Sequence, residues 1–284
     1  MNDKLNPYLN TEGQVELSNS IVAFLDVLGF KELVRDAKKD GKSQQLFAKF
    51  QDALKEANFS LTDHFADDLY NLSSNSSEIK AKHKFRVFTD CILIGCPIGD
   101  SFHYGTLIKG LDAFWTVFRT LYLIQSQLVN RGFFVRGAIT VGELYMDERT
   151  IYGIGLIDAY EAESKQAKYP RIILTKSAEA MFVEIDKDFQ LNKYNNYLKQ
   201  YLYRDSDGLL FLNYLESINI SDAPFLNELD MHKKVIENKL QKYYDKPDIL
   251  EKYVWAANYH NLFCNFDSNE EYRIDLVRYQ MQSV

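Results

Sequence analysis

The chain has 284 residues, 46% hydrophobic and 26% charged, enough to bury a sizeable core as one large domain or as a domain with an appendage. Its net charge of −7 argues against a dedicated nucleic-acid binder, because the lysines are scattered and form no basic stripe able to displace counterions from a phosphate backbone. Cys91, Cys96 and Cys264 are an odd number at no CxxC or Cys/His spacing, which implies neither a disulfide framework nor a zinc site. The N-terminus lacks a signal pattern, and no apolar run approaches the roughly 18–20 residues of a membrane span, so a soluble cytoplasmic protein without direct membrane contact is expected.

Met1–Leu17 reads as a loose polar arm. It leads into Ile21–Phe30, IVAFLDVLGF, an apolar run that carries one carboxylate, Asp26, to its tip and turns through Gly29 into an amphipathic helix. Such a strand can be buried on both faces while its end presents the acid. The turn leaves backbone N–H groups at a helix N-terminus, where the helix field favours an anion. A carboxylate for a cation beside amides for a phosphate points to a metal–nucleotide site; a plain βα unit with a capping Asp fits the same residues.

A first helix follows from Phe30, Leu33 and Val34, and a second from Leu46, Phe47, Phe50 and Leu54 after a break at Asp40–Ser43. Asn71–Ser77 reads as an exposed loop. Lys84–Pro97, KFRVFTDCILIGCP, then has two β-rich segments flanking Thr89–Asp90, the spacing of a tight hairpin with a second carboxylate at its turn. Asp90 is a good turn residue in its own right. Two acidic strand tips in one fold also suit Mg²⁺ or Mn²⁺, which is commonly held by one or two carboxylates with phosphate oxygens and water completing the octahedron.

Phe102–Asn130 reads as one long helix ending at Arg131–Gly132, with Trp115 and Tyr122 in the core or an interface. In the strand Phe133–Tyr145, Gly137, Ala138 and Gly142 would permit close approach of another backbone. A turn at Asp147–Arg149 precedes a helix from about Gly155 to Lys168, closed by Pro170, and Arg171–Thr175 is a short buried strand. Gly208–Leu215 should close the sheet. Pro224–Phe266 is predominantly helical, with a break at Pro247. The five histidines sit at no ligand spacing and read as surface or structural. This order of elements predicts an α+β sandwich, helices packed on a largely antiparallel sheet.

Several of these segments carry a family resemblance over roughly Val22 to Thr175. FLDVLGF resembles the FxDxxGF motif of the class III nucleotidyl cyclase catalytic domain, FTDCILIG its GDxxxx hairpin, and RGAITVG its RxGIxxG strand. IYGIGLIDAYEAE occupies the place of the family's WGxxVNxAxRxx helix. Within that superfamily, RGAITVGELY, YGIGLIDAYEAE with YPRIIL, DGLLFLNYL and a late YHN look most like the pyrimidine cyclases of Pycsar anti-phage defence. The resemblance implies a ferredoxin-like, palm-type sandwich: a catalytic domain over 1–217 with its motif core at about 20–176, and a helical C-terminal extension over 218–284.

Carried over residue by residue, the resemblance implies that Asp26 and Asp90 bind two divalent ions, Mg²⁺ or Mn²⁺, with the Val27 carbonyl as a further ligand. The turn amides of Leu28, Gly29 and Phe30 would hold phosphates. Where purine cyclases read adenine with a Lys and an acidic residue, this chain has Arg86 and Thr150, which suit the carbonyl-rich edge of uracil or cytosine. The implied substrate is a nucleoside triphosphate, UTP favoured over CTP, and the implied products are a 3′,5′-cyclic mononucleotide and pyrophosphate. The family's Asn and transition-state Arg fall on Ile157 and Glu161, neither of which can donate to a developing phosphate charge. Arg136, Lys165 and Arg171 are the candidate replacements, of which Arg136 is assigned the catalytic role. The family further implies a homodimer with sites at the interface, and a separate effector that senses the product. A degenerate cyclase fold that binds nucleotide and docks to a partner, and an active purine cyclase, are the alternatives.

Overall fold

The apolar run around Asp26 becomes the middle of the sheet. β1 (Ser18–Val27) is buried from Ser20 to Val27 except at Phe24 and Asp26, which are half-buried. The computed structural model describes residues 6–63, 83–100, 102–103, 106–191, 201–216, 225–266 and 270–279. The expected loop at Asn71–Ser77 and the boundary at Ser217–Pro224 lie outside the described residues.

Around β1 stand β2 (Lys84–Phe88), β3 (Cys91–Pro97), β6 (Val135–Met146), β8 (Ile172–Leu174), β9 (Leu202–Arg204) and β10 (Leu210–Leu212), in the order β2-β3-β1-β6-β8-β10-β9. All neighbours are antiparallel except β6 and β8, and β7 (Ile151–Tyr152) pairs with the far end of β6. The fold is therefore α+β with a mostly antiparallel sheet.

Strand alternation gives the sheet two different faces. Ile21, Ala23, Leu25 and Val27 face one way, opposite Ile92 and Ile94 of β3 and Ile139 of β6, and all are buried. On that side α2 (Ser43–Asp63) and α3 (Leu111–Asn130) close the main core, with Phe50 of α2 against Phe133, in the link from α3 to β6, at 5.3 Å. The short α1 (Phe30–Lys39) leads from β1 to α2. The other face carries Val22, Phe24 and Asp26. It is covered by α4 (Ile154–Gln166), whose Tyr160 ring meets Phe24 edge-on at 5.5 Å.

The close approach expected at β6 occurs at Gly142: a Cβ there would fall 2.9 Å from the Gly155 Cα of α4. Two facing glycines let the helix lie directly on the strand. That seats the first turn of α4 on β6 opposite Ser20, and the helix runs from there toward the Asp26 end of the sheet.

Four expectations change. The N-terminal arm is not loose over its described part, because Tyr8 is fully buried beside Tyr145 and Leu9 bridges to Val15. Phe102–Asn130 is not one helix. Phe102–His103 and Thr106–Leu107 pair as β4 and β5, and Gly110, at φ 79°, stands before the first turn of α3; that left-handed residue breaks any helix running through it. A helix absent from the sequence reading, α5 (Lys176–Leu191), follows β8 and brings Phe182 to 5.6 Å from Phe114. The segment expected to close the sheet pairs with β8 only over β10, leaving β9 as the edge.

The C-terminal helices α6 (Phe225–Lys242) and α7 (Pro247–Phe266) pack on this frame through Leu229, Ile236, Leu240, Tyr253, Ala256 and Ala257, in one apolar cluster with Ile21 and Leu25. Under them His232 and His260 meet at 2.9 Å between their Nδ1 atoms, and the Tyr214 hydroxyl lies 2.8 Å from His232 Nε2. These two histidines are buried and structural, as expected.

Candidate functional site

The ladder brings the two strand-tip acids together. Asp26 pairs with Cys91, so the Thr89–Asp90 turn of the β2–β3 hairpin closes directly beside the end of β1. The Val27 N–H donates to the Asp90 carbonyl at 3.1 Å and ties the hairpin to the strand tip. Ligand atoms of Asp26, Asp90 and Cys91 all lie within 4.8 Å of one another. Thr89 holds φ at 55°, a left-handed conformation that costs a non-glycine residue on the order of 1 kcal/mol. From there its hydroxyl donates to Asp90 Oδ1 at 2.6 Å, fixing the carboxylate.

On the other side of Asp26, Arg136 is its partner on β6. The Arg136 Nε lies 3.6 Å from Asp26 Oδ2 and 2.6 Å from Oε1 of Glu163 on α4. Glu163 is buried, and its Oε2 accepts a hydrogen bond from the Ser164 hydroxyl at 2.9 Å. Neither Arg136 Nε nor Glu163 Oε1 completes a hydrogen bond, so this contact is an ion pair of poor angle and leaves the guanidinium unsaturated.

The charges explain the titration of the site. Burial pushes the Asp26 carboxyl above its ordinary range; Arg136 pulls it back and Asp90 adds to the rise. Burial raises Glu163 as well, again opposed by Arg136. Arg136, with a smaller contribution from Lys252 at Asp26, faces this group of carboxylates, and a divalent cation would relieve the excess negative charge. The Cys91 thiol is pushed up to about 11 by burial and by Asp90, Asp26 and Glu163. Two of the three grouped donors are hard carboxylate oxygens. That donor set fits Mg²⁺ or Mn²⁺ better than zinc.

The remaining expected site residues are sorted by what they already touch. The Val27 carbonyl lies on the same edge of β1 as its amide, toward the Asp90 turn, as an antiparallel ladder requires. Leu28 is a correction: its N–H donates to the Phe134 carbonyl at 2.8 Å, because β1 keeps pairing with the β6 side beyond its end, and it is not available to a phosphate. The Gly29 and Phe30 amides have no partner among the described residues. They lie at the start of α1, where Gly29 adopts φ 69°.

Arg86 stands on β2, half-buried, its Nη1 donating to the Phe85 carbonyl at 3.0 Å. Thr150 is exposed at the opposite end of β6, in a turn held by Asp147, whose Oδ1 accepts from the Arg149 and Thr150 amides. The structure therefore sets Arg86 and Thr150 apart within one chain. Ile157 is exposed, and Glu161 pairs with Lys165 at 2.7 Å.

Of the three candidate cations, two are already committed. Lys165 is held by Glu161. Arg171 is fully buried between Asp205 and Asp207, ringed by Tyr169, Phe211 and Trp255. Only Arg136 faces the Asp26–Asp90 pair.

No protein-family model and no curated protein matches the chain. Among the described residues, no helix is long and apolar enough to cross a membrane.

Sequence reasoning missed Glu163 and the Thr89 hydroxyl. The signal for Glu163 was present: Gly155, Ala159, Ala162 and Glu163 form the buried stripe of α4, and an acid on such a stripe calls for a buried cation. The sequence places Thr89 at the hairpin turn, where positive φ is required, but its hydrogen bond to Asp90 was not read.

Proposed function

We propose that this chain is a metal-dependent pyrimidine nucleotide cyclase that converts UTP or CTP to the 3′,5′-cyclic mononucleotide and pyrophosphate. The observation that carries the reading is the convergence of Asp26 and Asp90, two half-buried acids on separate strands, beside the open amides of the β1–α1 turn. Asp26 and Asp90, with the Val27 carbonyl, would hold two divalent ions. When bound, such ions supply Lewis acidity to the ribose hydroxyl and neutralise the triphosphate.

The reaction is an intramolecular displacement. The 3′-oxygen bonds to the α-phosphorus, the bond from that phosphorus to the bridging oxygen breaks, the hydroxyl proton is lost to solvent, and pyrophosphate leaves. The Gly29 and Phe30 amides would bind phosphate oxygens, a role helix N-termini commonly fill. Arg136 would supply the fixed positive charge at the phosphate that Ile157 and Glu161 do not. Arg86 and Thr150 would read the base edge. Since they lie apart in one chain, the reading has them act in a homodimer with sites at the interface. A cyclic pyrimidine nucleotide made in the cytoplasm would act as a second messenger in anti-phage defence through a separate effector protein.

A second reading is favoured by the Glu161–Lys165 pair, which leaves no donor where the family's transition-state Arg would stand: a cyclase fold that binds nucleotide without turnover and docks to a partner. Incubation with each of the four ribonucleoside triphosphates and Mn²⁺, with products separated by mass, decides among the outcomes. A cyclic pyrimidine peak is expected. A cyclic purine product would replace the pyrimidine reading with a purine cyclase, and no product would favour the second reading.

A further inference from the structure

Arg136 stands between two carboxylates of different kinds. Asp26 is half-buried at the strand tip and belongs to the cluster that could hold a cation, whereas Glu163 is buried on α4 and its second oxygen is taken by Ser164. The guanidinium leans to Glu163: its Nε is 2.6 Å from that acid and 3.6 Å from Asp26. A guanidinium cannot lose its proton in a protein, so its charge must be placed somewhere. Placed fully on Asp26, it would occupy the lone pairs a divalent ion needs and repel that ion at short range.

We infer that Glu163 is a positioning residue that draws Arg136 off Asp26, keeping the Asp26 carboxylate open to a divalent cation while leaving the arginine beside the site. The inference rests on the metal-site reading above and adds to it a carboxylate that binds no metal. The geometry is consistent throughout. Glu163 is carried on the buried stripe of α4 with Gly155, Ala159 and Ala162, so it faces the sheet where Arg136 stands. The Arg136 side chain remains 27% exposed, so it can still turn toward Asp26 when its buried partner is removed. Partners outside the ligand shell commonly change metal affinity by 10–100-fold when removed.

The test is Mn²⁺ binding to the full chain, read by electron paramagnetic resonance of the free ion in titrations without nucleotide. Glu163→Gln keeps the side-chain shape and removes the charge; it is expected to weaken Mn²⁺ binding at least about tenfold. Adding Arg136→Gln to that variant is expected to restore affinity to near the wild-type value, because the competing charge is then gone. That rescue separates positioning from a structural role, since a fold damaged at Glu163 would not be repaired by losing Arg136. Unchanged affinity in Glu163→Gln, or weakening that persists in the double variant, overturns the inference while leaving the metal site standing. Absence of Mn²⁺ binding by the wild type, or binding that survives Asp26→Ala with Asp90→Ala, overturns the metal-site reading and this inference with it.

Discussion

Arg136 and Arg171 are neighbours across the β6–β8 ladder, one position before its first pair, and the Gly137 N–H donates to the Arg171 carbonyl at 3.1 Å. The two side chains nevertheless have opposite surroundings. Arg171 has two carboxylates to itself, Asp205 and Asp207, three aromatic rings about its guanidinium, and Trp255 of α7 donating to Asp205 at 2.7 Å. Burial alone would raise the Asp207 carboxyl, but Arg171 and the Leu209 amide hold it below its ordinary range. This region is a clamp between the sheet edge and the C-terminal helices. The Arg136 region differs: the guanidinium is 27% exposed, divided between Glu163 at 2.6 Å and Asp26 at 3.6 Å, and burial raises both acids. A buried cation held between two carboxylates and three rings holds the fold together; a part-exposed one beside raised acids is open to a ligand.

Substitutions at the two arginines should therefore fail in different ways. The largest effect is expected at Arg171. Arg171→Ala leaves Asp205 and Asp207 without their cation and should cost about 3–5 kcal/mol of stability, read as a lower denaturant midpoint. Lys should not restore it, because a point charge cannot span two carboxylates or stack on the rings. Next is Arg136→Ala, which should lower turnover by about 10²–10³ with a smaller loss of stability than Arg171→Ala, because Glu163, already raised by burial, can take up a proton once its cation is gone. If Arg136→Ala unfolds the chain and Arg171→Ala spares it, the comparison is wrong.

Acid supplies a third contrast, on the clamp side. Burial depresses both histidines where α6 and α7 meet, His260 to about 4 and His232 well below the ordinary value. The unfolded chain takes up these protons from about pH 6.5 downward and the folded chain does not. Stability is thus complete above that pH and falls as pH drops toward 4, by on the order of 3 kcal/mol for His260 alone. Urea unfolding at pH 7 and pH 5 should show the lower midpoint at pH 5. The smallest effect is expected for Trp255→Phe, which keeps the ring stack but loses the bond to Asp205, for about 1–2 kcal/mol in the same assay.

How far each region was legible in the sequence follows from the range of the forces involved. β1, the β2–β3 hairpin and the core of α3 could be read because alternation, turn residues and helical spacing are local. Asp26 and Asp90 were legible for the same reason: each ends an apolar run. The division between Arg136 and Arg171 was not, since both look like strand-entry arginines until β10 and α7 bring Asp205 and Trp255 to one of them. Tyr8 is buried by contacts with β6, which its polar neighbours do not announce. Helix α5 could have been found, as Ala178, Met181, Phe182 and Ile185 repeat at helical spacing. The Phe102–Leu107 hairpin was hidden because its apolar residues continue the spacing of the helix beyond Gly110. The occupied Leu28 amide depends on the end of β6, which no residue near Leu28 reveals.

The proposal that Asp26 and Asp90 form one reaction centre is tested most directly by pyrophosphate release from UTP and CTP in Mn²⁺, measured for the wild type, Asp26→Ala and Asp90→Ala. The wild type should release pyrophosphate together with a cyclic pyrimidine nucleotide, and each variant, folded as judged by its denaturant midpoint, should release none. Pyrophosphate release retained by either variant would contradict it.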